Sequence, residues 1–166
     1  MRKATGLPAI SVIALGFAFS TGPAGIASAQ DASAQAAYKD IAQTLGTVPG
    51  FFKAFPEVGI AGAWEEFKSI QLNPKTKLDG KTKELMGLAV ASQIPCSYCV
   101  YFHTAAAKAN GATDEEIREA VAMAAIVRHW STVLNGMQVD LNSFKTETDT
   151  VLRLAGEKAK TTTKTN

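Results

Sequence analysis

The chain has 166 residues, 46% of them hydrophobic, with 17 basic against 15 acidic side chains and two cysteines. That length suits a single domain with one core. The near-balance of charge excludes the basic patch that marks a nucleic-acid binder. The lysines gather at 75–83 and in the tail as solvated surface, so no nucleic-acid partner is expected.

The first 29 residues read as a cleavable secretory leader. Met1-Arg2-Lys3 is a short basic start, residues 7–19 are almost wholly apolar, and a small-residue run ends in Ala27-Ser28-Ala29. That is the three-part plan of a signal peptide cut after Ala29. A membrane anchor is the competing reading, but a span takes about 20 consecutive apolar residues. Ser20, Thr21, Gly22 and Pro23 interrupt this run. With no cysteine before Cys96, lipid modification at the cut is excluded. The expected product is periplasmic or secreted, without a stable membrane anchor. Setting Arg2 and Lys3 aside brings its basic side chains level with the 15 acidic ones.

Every segment beyond the leader reads as helix. Residues 31–46 are alanine-rich with Tyr38, Ile41 and Leu45 at helical spacing, and Gly46 is the stop. The stretch 47–59, punctuated by Pro49, Gly50 and Pro56, predicts a short turn. Its Phe51, Phe52 and Phe55 are read as core anchors in preference to a pocket lining. Residues 57–71 form a second helix with Ile60, Trp64 and Phe67 on one side, followed by a loop over 73–81. From 82 to 93 the sequence is apolar nearly all round, which predicts a buried helix. Pro95 ends it, and a helix over 96–110 closes at Gly111. Thr113 and Glu116 then make a capping box that opens a long helix ending at Asn135-Gly136. A last amphipathic helix carries Val139, Leu141, Phe144, Val151, Leu152 and Leu154.

No segment alternates with the period of a strand, so the class is all-α. A helical domain is expected over 30–158, with a polar, disordered tail at 159–166. The helices between 84 and 134 are rich in alanine and apolar side chains for so small a domain. That surplus predicts burial against another copy, hence a homo-oligomer.

The chemistry concentrates in Cys96, Cys99 and His103, a Cys-x-x-Cys-x-x-x-His unit. On a helix, positions i, i+3 and i+7 share nearly one line of the surface. In an oxidising compartment such a pair would be found as a disulfide. A bridge across so short a loop removes little unfolded-state entropy, which favours a redox role over a structural one. Two arguments then name different nucleophiles. A helix N-terminus after Pro95 favours a thiolate at Cys96. His103, one turn beyond Cys99, favours Cys99. Glu84 sits on one stripe with Gly87, Leu88 and Ala91, and reads equally as a catalytic carboxylate or as an exposed first-turn glutamate beside Lys81 and Lys83.

Glu84, eleven residues, Cys96-x-x-Cys99, three residues and His103 together resemble the core motif of the AhpD-like alkylhydroperoxidases, within the carboxymuconolactone decarboxylase superfamily. The similarity runs from about 81 to 136. It implies an AhpD-like all-helical fold that assembles into homo-oligomers. It also implies an enzyme that needs no cofactor and acts on hydroperoxides, drawing electrons from a thiol reductant whose identity the sequence does not reveal. In that mechanism Cys99 attacks the peroxide and becomes a sulfenic acid, and Cys96 resolves it to a disulfide. Glu84 and His103 form the proton relay. One position departs from the family, whose well-studied members carry a histidine between the cysteines where this chain has Ser97-Tyr98. The alternative function is therefore thiol–disulfide exchange on a disulfide substrate. A zinc-binding or structural oligomer built on Cys96, Cys99, His103 and His129 is the non-enzymatic rival. His129 is otherwise read as a helix-end packing residue. Haem attachment is excluded because residue 100 is Val100.

Overall fold

The structure, a computed structural model, describes residues 23–163, and most of the expected leader lies outside them. The described residues contain seven α-helices and no strand. In chain order they are α1 (Pro23–Leu45), α2 (Gly50–Lys53), α3 (Glu57–Glu66), α4 (Gly80–Gln93), α5 (Ser97–Ala109), α6 (Asp114–Gly136) and α7 (Leu141–Thr163). The all-α class expected from the sequence is thus observed. The chain divides into two compact units, Met1–Ser69 and Ile70–Asn166.

In the first unit α1 packs on α3. Ala34, Ala37 and Ile41 recur at helical spacing on α1 and are buried with Phe52, Ile60 and Trp64. Complete burial of Ile41 and Ile60 contributes roughly 1.5–3 kcal/mol for each side chain. Trp64 lies edge-on to Phe52 at 5.5 Å and stacks on Phe67 at 5.9 Å. Its indole N–H donates to Asp40 Oδ2 at 2.6 Å, so the one polar atom of this ring is satisfied. Lys68 donates to the same oxygen at 2.7 Å and, with Trp64, holds the Asp40 carboxyl below its ordinary pKa. Of the three phenylalanines expected to anchor the core, only Phe52 does so; Phe51 and Phe55 are exposed. The single turn α2 has one inward face, which Phe52 takes, and Phe55 lies beyond its end.

Gly46 ends α1 as expected, in the left-handed conformation at φ +79°. The helix expected over 57–71 is α3 prolonged by a π-helical turn, Phe67–Gln71. Such wider turns concentrate at functional positions.

The second unit is built on α4, which packs against both α5 and α6. Asp79 caps α4 by accepting from the Thr82 N–H at 2.7 Å, so the helix starts two residues before its apolar run. Leu88, Ala91, Ala107 and Ala124 are buried in this unit, and the three alanines allow the helix axes to approach closely. Burial of α4 is one-sided, however: Met86 and Val90 are exposed, contrary to the expectation of a helix enclosed all round. Two neighbouring helices cover only part of its circumference. At its C-terminal end Arg128 of α6 donates to both the side-chain and the main-chain oxygen of Gln93, at 2.7 and 3.1 Å.

Gly111, at φ +84°, closes α5, and the Ala112 N–H reaches back to the Ala107 carbonyl at 2.9 Å. The capping box of α6 is present in full. Thr113 Oγ1 accepts from the Glu116 N–H, and Glu116 Oε2 accepts from the Thr113 N–H. Glu116 also takes Lys81 of α4 at 2.6 Å, tying the two helix starts together. The left-handed residue that ends α6 is Gln138 (φ +52°), two positions past the expected glycine stop. The last helix begins behind Asp140, whose side chain caps Ser143, and continues to Thr163, into the segment expected to be irregular.

Candidate active site

Cys96 and Cys99 meet at the start of α5. Pro95 precedes Cys96, which is the N-cap of the helix and whose sulfur accepts from the Cys99 N–H at 3.2 Å. The two sulfurs are joined in a disulfide, with Cα atoms 5.3 Å apart. The dithiol pair is therefore present in its oxidised form, and both expectations for Cys96 are met geometrically: it is at a helix N-terminus and it is bonded to Cys99.

The carboxylate is placed by α4. Because Asp79 starts that helix at Gly80, Glu84 falls in the second turn, on the inward stripe with Leu88 and Ala91. Glu84 is only 4% exposed, which settles the open choice against a solvated first-turn glutamate. A buried carboxylate requires partners, and two are in place. His103 Nδ1 lies 2.7 Å from Glu84 Oε2, and Gln71 Nε2 donates to Oε1 at 3.1 Å and more weakly to Oε2 at 3.4 Å. An ionised carboxylate can only accept. With Glu84 as a carboxylate, Nδ1–H would be the donor in this contact and Nε2 would be left with its lone pair as the basic position.

The imidazole fits because of Gly87. A Cβ there would fall 2.5 Å from His103 Nδ1 and 2.8 Å from Nε2, well inside van der Waals contact. The ring of His103 therefore lies directly on the backbone of α4, one turn beyond Glu84. His103 and Cys99 line the same hollow of about 270 Å³, whose other walls are the apolar side chains Met86, Val90 and Ile94. Cys96 opens on a different and larger hollow of about 720 Å³, bordered by Val100, Tyr101 and Thr104. The two cysteines thus border separate hollows, and the one that shares its hollow with His103 is Cys99.

Glu84, Cys99 and His103 are brought together as the motif spacing implied. His129 is not. It lies on α6 beside Trp130, at 5.5 Å between rings, and lines a third hollow with Arg128 and Gln93. No group of three or more His, Cys, Asp or Glu side chains is placed to hold a metal among the described residues. The tetrahedral set built on His129 is thereby corrected: its fourth donor faces elsewhere. Tyr98, in the inter-cysteine position, is 88% exposed. Two contributors escaped the sequence. Gln71 belongs to no motif and sits thirteen residues before Glu84. Gly87 is legible in the sequence as a member of the Glu84 stripe, but not as the seat of the imidazole.

Residues 59–140 match the model of the carboxymuconolactone decarboxylase family. The crystal structure of the alkylhydroperoxidase AhpD core from Rhodospirillum rubrum superposes with a TM-score of 0.59 at 28% identity, over 74% of this chain and 92% of that one. A stretch of 51 residues is 43% identical to "uncharacterized protein 4 in cox locus" of Paracoccus denitrificans, taking in 31% of this chain and 46% of that protein. The chain thus spans about half the length of the curated relative it matches. Fold and motif define an AhpD-like helical protein. Every member of the site lies within residues 59–140, the stretch that is similar to the carboxymuconolactone decarboxylase family.

Proposed function

We propose that this protein is a thiol-based peroxidase in which Cys99 reduces a hydroperoxide and Cys96 resolves the product. The observation that carries the reading is the buried Glu84 carboxylate bonded to His103, which shares the hollow of Cys99. In the reduced protein His103 Nε2 takes the Cys99 thiol proton, while the Glu84 carboxylate stabilises the imidazolium that forms. The thiolate attacks one peroxide oxygen and the O–O bond breaks. Sulfur gives up two electrons, and the departing alkoxide takes the proton as alcohol. Cys96 then attacks the sulfenic sulfur, the S–S bond forms, and hydroxide leaves as water. An N-cap position favours the Cys96 thiolate in that step. Two electrons from an external thiol reductant restore the dithiol.

A second reading, thiol–disulfide exchange, is favoured by two features. Tyr98 stands where well-studied members of the family this chain resembles carry a histidine, and Cys96 borders the larger hollow. The experiment that tests the first reading follows an organic hydroperoxide with the reduced protein. Cys99→Ser should abolish its consumption, and Cys96→Ser should accumulate a trappable sulfenic acid. Full turnover by Cys99→Ser would refute the role of Cys99. Rapid reduction of a protein disulfide with no peroxide consumption would select the exchange reading.

We also propose export through a leader at 1–29. The buried residues of α1, Ala34, Ala37 and Ile41, all follow Ala29, so cleavage there leaves the core stripe of the first unit whole. No described helix is long and apolar enough to cross a membrane. Association into a homo-oligomer is part of the same proposal, supported by the exposed Met123, Ile126, Val127 and Trp130 along α6.

A further inference from the structure

We propose that Gln71 is a positioning residue for the Glu84–His103 pair, setting the carboxylate that holds the imidazole in its reactive tautomer. The inference rests on the peroxidase reading of that pair and adds to it a residue outside the motif. A carboxylate as buried as Glu84 has two oxygens to satisfy and a side chain free to rotate about its last torsion. His103 takes Oε2 and leaves Oε1 without a partner unless a neutral donor is supplied. Gln71 supplies it. Its amide donates to Oε1 at 3.1 Å and, at 3.4 Å, also leans on Oε2. The carboxylate plane is then pinned between the amide and the imidazole, with neither oxygen facing an apolar wall.

Gln71 is itself held in register by the helix it serves. It is the last residue of the π-helical turn Phe67–Gln71. The ammonium of Lys83, the residue immediately before Glu84, donates to the carbonyls of Ile70 at 2.9 Å and Asn73 at 2.8 Å, and to that of Gln71 at 3.4 Å. One turn of α4 therefore projects Glu84 inward and clasps the segment that delivers its partner. A lysine spent on three main-chain carbonyls has a specific structural consequence, which is to fix where the Gln71 side chain begins. The residue type matters too. A glutamate at 71 would bring a second carboxylate to about 3 Å from the first, and two like charges so close cannot both stay ionised.

The test follows alkylation of Cys99 by iodoacetamide against pH in the purified, reduced protein, with Cys96→Ser as background so that one thiol reacts. Glu84→Gln serves as the reference. Gln71→Met, nearly the same shape without the donor, should slow alkylation at neutral pH by roughly 10–100-fold, the range by which removing the outer partner of a metal-bound histidine or carboxylate weakens its site. It should also move the midpoint of the pH profile upward, in the same sense as Glu84→Gln. Gln71→Glu should be slower still at neutral pH, and its rate relative to wild type should rise as pH falls and the new carboxyl gains a proton to donate. A wild-type rate and midpoint for Gln71→Met, with Glu84→Gln altered, overturns this inference and leaves the Glu84–His103 reading standing. An unchanged profile for Glu84→Gln overturns both. Should Gln71→Met fail to fold by circular dichroism, the pH trend of Gln71→Glu decides alone, a flat ratio to wild type refuting the proposal.

Discussion

Replacing Gly87 by alanine sets two physical effects against each other, and the structure says which wins. Gly87 lies within α4 at an ordinary helical φ, so helix propensity alone predicts stabilisation by about 1 kcal/mol. Against that, the added methyl would sit less than 3.0 Å from three atoms of the His103 ring. Overpacking of this kind costs about 1–3 kcal/mol. Displacing the imidazole also forfeits its bond to the buried Glu84 carboxylate, and a bond to a charged group is worth about 1.5–3 kcal/mol. The net expectation is destabilisation by roughly 2–5 kcal/mol, read as a fall in Tm of roughly 5–15 °C. His103 is 19% exposed at its side chain and can escape outward, which would place the result at the low end. In either case the imidazole no longer meets Glu84, and peroxide reduction should fall by about 10²–10⁴-fold, the usual contribution of a general base. Thermal melts and single-turnover peroxide consumption measure the two effects. An alanine variant more stable than wild type and fully active would refute the placement of His103 against α4.

Acid should loosen the frame of the second unit. Hydrogen bonds from Thr82 to Asp79, from Lys81 and Thr113 to Glu116, and from Lys108 to Asp114 hold these carboxyls below their ordinary values. Groups with depressed folded pKa values contribute stability above their unfolded values and lose it as pH falls through the folded ones. Urea midpoints should accordingly be level near neutrality and decline below about pH 4; a midpoint unchanged down to pH 2.5 would contradict these contacts. At the end of α6, Gln138→Gly should stabilise by about 0.5–1 kcal/mol. It relieves roughly 1–2 kcal/mol of left-handed strain, less the roughly 0.5–1 kcal/mol entropic cost of glycine. Equilibrium denaturation that shows a loss instead would mean that Gln138 is not left-handed. The exposed apolar side chains of α6 predict association, so sedimentation at micromolar concentration should give a multiple of the chain mass and Trp130→Lys should lower it. A monomer in both would remove the oligomer.

What the sequence reveals follows from how local each determinant is. The capping box at Thr113 and Glu116, the glycine stops at Gly46 and Gly111 and the Cys-x-x-Cys unit are set by neighbours a few residues apart, and all are found where the sequence puts them. Glu84 is harder: its stripe is readable, yet whether the stripe is buried depends on α5 and α6 packing over it. The burial of α4 is overstated by composition because Met86 and Val90 look inward by hydrophobicity and outward by geometry. Gln71 is illegible for a different reason. Its role exists only because a π-helical turn and the Lys83 clasp bring residue 71 to residue 84, and neither leaves a periodic signal.

The inter-cysteine position sharpens the chemistry proposed for this site. A histidine between the cysteines could serve a relay, whereas Tyr98 projects into solvent and a phenol is a poor base at neutral pH. On the proposed peroxidase reading, proton removal from Cys99 would fall to His103 alone, and the burden on the contact with Glu84 would rise accordingly. That contact is buried, satisfied on both oxygens and seated on a glycine. The imidazole is held by Glu84 and seated on Gly87, with Gln71 bonded to the far side of the carboxylate. If His103 is the one base of the proposed reaction, the Cys99 thiol stays reactive only while all three supports are in place, so Gly87 and Gln71, neither of them in the motif, should prove nearly as sensitive to substitution as Glu84.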